Sequence, residues 1–221
     1  MTTFNFEDGN GPVPAHQHSN GGGWVEDTAY VDVAAYIGPD ARVTGNAQVF
    51  GNARVTGNTW VSGNAQVTGN TWVSGNAQVF GNARVTGNAR VFGDACVFGD
   101  ACVSGNAYVS DDARVFGDAQ VFDNARVFGN AQVTGYTRVF GDACVYGNAQ
   151  VTGYTRVFGD ACVYGNAEVS DNAWVFGDAR VTGNAQVTGN ARVSGDVEDD
   201  DTSEDIFIEM NGKRYKLVEV A

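Results

Sequence analysis

A six-residue rule governs most of this chain and leaves little freedom in what it can fold into. From residue 29 to residue 196, 28 consecutive units keep one register of small, x, aliphatic, x, followed in most of them by Gly and then Asn or Asp, as in Ala41-Arg42-Val43-Thr44-Gly45-Asn46 followed by Ala47-Gln48-Val49-Phe50-Gly51-Asn52. Position three is Val in every unit except at Ile37, and position one is Ala except at Thr59, Thr71, Thr137 and Thr155 from Ala29 onward. Two small or apolar residues separated by one variable residue is the period-two signature of a short strand, and β-branched Val suits a pleated surface. A helix is excluded. A period of six drifts against 3.6 residues per turn, and a Gly in almost every unit costs a helix roughly 1 kcal/mol each.

The Gly-Asn/Asp pair supplies a corner after each strand, because Gly enters positive φ freely and Asn or Asp tolerates the left-handed region. A strand this short cannot bury its apolar side alone. The units must therefore wind into coils whose Val and Ala point to a shared axis, each coil stacked on the last. Residues 129–146 recur unchanged as 147–164, a step of 18 or three units, while residues 57–67 recur as 69–79, a step of 12. The hexad is thus the copied module, and duplication by itself leaves the number of sides per coil open.

The run Val-x-Gly-Asn-Ala-x resembles the hexapeptide motif of the left-handed parallel β-helix superfamily, over residues 29–196. The resemblance implies an all-β, single-stranded, left-handed, three-sided parallel β-helix of about nine coils, and a habit of forming homotrimers. At ~4.8 Å between neighbouring strands such a rod is about 45 Å long. Its open ends need covers, because unpaired strand edges invite aggregation.

The flanks have the character of covers. Residues 1–28 form an N-terminal leader, in which Gly21-Gly22-Gly23-Trp24-Val25 suggests an aromatic lid over the first coil. Its stretch Phe6-Glu7-Asp8-Gly9-Asn10-Gly11, followed by Ala15-His16-Gln17-His18, resembles the leaders of phage and prophage hexapeptide-repeat proteins. Residues 197–205 read as an acidic linker. Residues 206–221 read as a hairpin, with strands on either side of Asn211-Gly212 in a type I′ turn.

The chemistry expected of a catalyst is missing. The acyltransferases of this superfamily use a His general base and its γ-type carbonic anhydrases three His ligands, yet residues 29–196 contain no His and no loop interrupts the units. No enzymatic activity and no cofactor is expected. His16 and His18 are the only His in the chain, and two ligands are too few for a closed metal site within one copy. The four Cys (Cys96, Cys102, Cys144, Cys162) all stand at the outward position two; copying of the duplicated coil accounts for the last two. With no signal-like segment, reduced thiols and a cytoplasmic location are expected, in a host cytoplasm or a virion if the chain is phage-encoded.

The formal charge of −13 belongs mostly to the tails, since residues 29–196 carry 14 Asp and Glu against 10 Arg, a net of −4. The Arg are dispersed among Asp-bearing corners, which disfavours direct nucleic-acid binding, and a nucleic-acid mimic is disfavoured by the same arithmetic. No apolar segment is long enough to cross a membrane as a helix. Ice binding needs a flat Thr-x-Thr array, whereas position two here holds Gln, Arg, Trp, Cys or Tyr.

Sorting the units by threes exposes one further pattern. Phe122, Phe140, Phe158 and Phe176 recur at steps of 18, accompanied by Arg138, Arg156 and Trp174, with Tyr136 and Tyr154 at the preceding corner. An exposed aromatic and guanidinium ladder is expected to be covered, by neighbouring rods of a homotrimer or by a host protein or small anionic ligand. The sequence thus points to a non-catalytic interaction module that binds or blocks a host component. A structural rod or spacer of a virion or fibre is the alternative, and a degenerate acyltransferase-like enzyme the second.

Overall fold

A computed structural model describes residues 2–198 and the backbone of residues 207–210 and 213–216. The described chain is all β, built almost entirely from two-residue strands centred on positions two and three of each hexad. Successive units lie on different sides, and each strand pairs in parallel with the strand 18 residues away: Val43 with Val61, Val61 with Val79, Val79 with Val97. Three hexads therefore close one coil, giving the three-sided parallel β-helix that the family resemblance implies.

Ten coil strands stack on each side. Sheet one runs from Trp24–Glu26 to Gln186–Val187, sheet two from Tyr30–Val31 to Arg192–Val193, and sheet three from Tyr36–Ile37 to Val197–Glu198. The tenth coil, against about nine expected, comes from both ends of the repeat. Gly23-Trp24-Val25 is an unrecognised first unit, with Gly23 at the small position and Val25 fully buried in register with Val43. At the other end Val197 pairs with Val181, a step of 16, inside the segment 197–205 read as a linker.

The axis is filled by one contiguous core of position-one Ala and position-three Val, nearly all with no exposed surface. Burying a Val side chain is worth about 1.5–3 kcal/mol, and the same two residues repeat on every side of every coil. Position-one Thr enters this core with its hydroxyl satisfied locally: Thr137 donates to the Thr134 carbonyl at 2.7 Å and Thr155 to the Thr152 carbonyl at 2.6 Å. Thr71 is buried with its hydroxyl unpaired.

The coils are joined by backbone bonds, and those that flank the strands run from each coil to the next. Arg138 N–H donates to the Thr155 carbonyl at 2.9 Å, Phe140 N–H to Val157 at 3.0 Å, and Asn130 N–H to Gly147 at 2.8 Å. Corner side chains run the same way: Asn52, Asn70, Asn88, Asn106 and Asn124 each pass an amide Nδ2–H to the next Oδ1 at 3.0–3.3 Å, ending on Asp142. At Asp111, Asp123 and Asp171 a non-glycine adopts positive φ, and each carboxylate accepts the N–H of a Gly one coil on, at 2.9–3.4 Å.

The leader builds a cover, although its aromatic part lies beside the axis. Thr3–Asn5 pairs antiparallel with Pro12–Gln17, which pairs antiparallel with Trp24–Glu26 and so extends sheet one. Phe4 stacks on Trp24 at 4.2 Å and meets Phe6 edge-on at 4.9 Å; Phe6 is fully buried but outside the axial core. The top of sheet three is closed by polar groups. Gly23 N–H donates to the Ile37 carbonyl, while His18 Nε2 and Asn20 Nδ2 lie 3.0 and 3.1 Å from the Ala35 carbonyl.

At the C-terminal end, Phe207–Met210 and Lys213–Lys216 pair antiparallel as expected, with Met210 opposite Lys213, and Glu209 falls opposite Arg192 of sheet two. The expected type I′ turn at Asn211-Gly212 lies outside the described residues. No helix among the described residues is long and apolar enough to cross a membrane.

Two expectations test this packing. Val139→Asp places an unpaired carboxylate on the axis and should lower the unfolding free energy by several kcal/mol; an unchanged denaturation midpoint would contradict the inward assignment. Gly57→Ala should cost more than Gly177→Ala. Both sit at positive φ, worth about 1–2 kcal/mol, but a Cβ at Gly57 meets the Gly75 carbonyl oxygen at 2.6 Å, whereas none lies within 4 Å at Gly177. Paired urea titrations read the difference.

Candidate interaction surface

Because positions one and three point inward, the described coils show a partner only positions two and four and the corners. The in-register stacking turns each outward residue into a member of a column with one residue per coil. Identical side chains in such a column meet face to face.

The nine residues singled out in the sequence lie along one side, that of sheet two. Phe122, Phe140, Phe158 and Phe176 form one edge, stacked at 4.9, 5.0 and 5.5 Å between ring centres with planes within 12° of parallel. Tyr136 and Tyr154 form the opposite edge, stacked at 4.9 Å and 55% and 62% exposed. Between them run Arg138, Arg156 and Trp174. Arg156 lies over the Trp174 ring at 4.7 Å, and Arg192, one coil further and not singled out, covers its other neighbour position at 4.8 Å. Arg138 and Arg156 are in register, which brings two like charges side by side.

The four Phe are partly buried, because each ring packs on its neighbours along the rod. The same device occurs on the other corners. Phe80, Phe98 and Phe116 stack at 4.9 and 4.8 Å after sheet one, and Phe128, Tyr146 and Tyr164 at 4.8 Å each after sheet three. Much of the aromatic content at position four is therefore bonded coil to coil within one chain.

A second column was missed by sequence reasoning. On sheet three Tyr36, Arg54, Trp72, Arg90, Tyr108 and Arg126 are in register, alternating aromatic and guanidinium over six coils. Arg54 sits over Tyr36 at 5.2 Å and over Trp72 at 5.8 Å. Trp72 is 45% exposed, its indole N–H directed to Thr56 Oγ1 at 3.3 Å. Beside it a shallow depression of about 210 Å³ is lined by Trp72, Ser74, Arg90, Phe92 and Tyr108. Among the described residues the ion pairs are His16–Asp27 and Arg42–Glu7, so the guanidinium groups of this column have no carboxylate partner. Its sequence signal is an alternation that repeats every 36 residues, twice the coil length.

The two leader His are separately engaged. His16 Nδ1 lies 2.8 Å from Asp27 Oδ1, and the 94%-buried His18 closes the top of sheet three. No cluster of three or more metal-ligating side chains occurs among the described residues. The four Cys are free and partly buried. Cys96 is on sheet one and Cys102 on sheet two, while Cys144 and Cys162 are direct neighbours on sheet three. Burial raises the Cys144 thiol above its ordinary value, with the Cys162 thiol adding to the effect; burial likewise raises Cys96.

A family model described as Bactofilin, polymer-forming cytoskeletal, matches residues 35–138, or 104 of the 221 residues. The matched segment contains the whole aromatic–guanidinium column of sheet three. Among solved structures the chain is similar to the UDP-N-acetylglucosamine O-acyltransferase of Moraxella catarrhalis, at 13% identity and a TM-score of 0.45, covering 72% of this chain and 71% of that one. It is also similar to the UDP-N-acetylglucosamine acyltransferase of Campylobacter jejuni, at 14% identity and a TM-score of 0.42, covering 78% and 71%. The corresponding Arabidopsis enzyme gives 12%, 0.37, 75% and 71%. No curated protein sequence matches the chain.

The ladder itself can be tested through stability. Removing one ring from the middle of a stack deletes two aromatic pairs, each worth about 0.5–1.5 kcal/mol beyond area burial. Phe140→Ser should therefore destabilise the isolated chain by about 1–3 kcal/mol, measured by chemical denaturation.

Proposed function

We propose that this chain is a non-catalytic structural rod that associates with copies of itself end to end to form a polymer. The observation that carries the reading is the state of the rod's ends. Among the described residues, Tyr30–Val31 is the edge strand of sheet two at the N-terminal end, and Gln186–Val187 is the edge strand of sheet one at the other. Beside the first edge stand two exposed apolar side chains, Tyr30 at 59% and Val33 at 77% exposure. An uncovered strand edge with apolar neighbours is a template for another chain. The similarity of residues 35–138 to a polymer-forming cytoskeletal family supports the same reading. So does the unbroken coil, which lacks inserted loops and, from residue 29 to residue 196, any His to act as a base.

Light scattering and negative-stain microscopy of the purified chain test this. Mass should grow with concentration and filaments of rod-like width should appear. Tyr30→Lys combined with Val33→Lys should return the chain to small species, because charge at an edge blocks pairing. A monodisperse wild type, or filaments indifferent to the double substitution, would overturn the proposal.

A second reading, an interaction module for a host protein or small anionic ligand, is favoured by the unpaired guanidinium groups between aromatic rings on sheet three. Both readings leave the rod without turnover.

A further inference from the structure

The paired thiols on sheet three have a geometry that neither the core nor self-association explains. Cys144 and Cys162 are in register on adjacent coils, and the thiol of each donates to the carbonyl two residues back, Asp142 and Asp160, at the same 3.7 Å. The two sulfurs are thus copies of one another, displaced by one coil. That displacement is fixed locally: Tyr146 and Tyr164, two residues on from the thiols, stack at 4.8 Å with planes 1° apart. Backbone bonds from Cys144 N–H to Ala161 and from Tyr146 N–H to Val163, both 2.9 Å, hold the coils at this spacing.

At a strand spacing of ~4.8 Å two in-register Cβ atoms stand further apart than the ~3.5–4.5 Å of a disulfide. An S–S bond is ~2.05 Å long and draws the Cβ atoms to a mean of ~3.8 Å, so closing it would pull two hydrogen-bonded coils together by about 1 Å. The spacing is right for two thiolates on opposite sides of one ion. Two metal–sulfur bonds of ~2.3 Å, the length of a zinc–thiolate bond, place the sulfurs of a linear S–M–S unit about 4.6 Å apart, and thiolates select copper(I) among soft ions.

We propose that Cys144 and Cys162 form a two-coordinate site for a soft monovalent cation, copper(I). Two thiols lose two protons to solvent and form two Cu–S bonds, leaving a bis-thiolate complex of net charge −1. The column supplies the counter-charge, since Arg126 is in register before Cys144 and Arg180 after Cys162. Duplication of residues 129–146 explains how the second thiol arrived. It also placed that thiol one coil away, at the separation a linear ion spans. Cys96 and Cys102 serve as internal controls, each flanked in its column by Arg and Gln.

The test is an anaerobic titration of the reduced full chain with copper(I) against a chromophoric chelator, with native mass spectrometry for stoichiometry. Wild type and the Cys96→Ser, Cys102→Ser double variant should hold one ion per chain. Cys144→Ser and Cys162→Ser should each lose it, with circular dichroism verifying the fold. Arg126→Gln and Arg180→Gln should weaken the site by roughly 10–100-fold, as removal of an outer-shell partner does. Equal binding in either single Cys variant would overturn the proposal. So would quantitative closure of a Cys144–Cys162 disulfide by diamide, which would show that the coils do not hold the thiols apart.

Discussion

Everything in this structure depends on one backbone constraint: each coil must hydrogen-bond to the next without slipping. The N–H groups of one coil reach carbonyls 17 residues on, from Arg42 to Thr59 near the start through Trp174 to Ala191 near the end. That ladder imposes a translation of one strand spacing per 18 residues. Once it is fixed, inward Val stacks on Val, corner Asn on Asn, and outward Phe on Phe. Gly at position five follows as well, because the corner needs positive φ and the next coil's backbone passes where a Cβ would stand.

The architecture was legible because the hexad is strict. Position three named the core residue by residue, and the 18-residue duplication agreed with the three sides found. The first unit escaped notice because Gly23 stands where Ala is usual and Glu26-Asp27-Thr28 replaces the Gly-Asn corner, leaving Val25 as its one regular signal. The leader's antiparallel strands were not legible either. They are ordered by contacts across the fold, such as Arg42 Nη1 to the Phe6 carbonyl at 2.8 Å, which carry no period.

The surface was harder to read than the core, for a physical reason. Inward positions admit only what fills the axis, whereas outward positions are constrained only by their neighbours one coil away. Sorting by threes found the column of Phe140 and Arg156 because identical residues recur there. It missed the column of Tyr36, Arg54 and Trp72 because alternation repeats every 36 residues. The aromatic edges also have a dual character. Phe122 to Phe176 bond to one another along the rod, so an exposed ring is already part of the molecule's own cohesion.

The directional side-chain amides have a consequence for how such a molecule can change length. An Asn both passes on a hydrogen and receives one, so a coil bearing Asn at a corner can be followed by any coil bearing Asn or Asp there; an Asp receives without passing on and ends the relay, as at Asp94, Asp100 and Asp142. The repeated block at residues 129–164 lies where Asn130, Asn148, Asn166 and Asn184 relay without interruption. Inserting or deleting a whole coil there leaves every bond of that corner intact. The rod is therefore modular in the way a polymer of identical monomers is, with its measure written in whole coils and its grammar in the choice between an amide and a carboxylate.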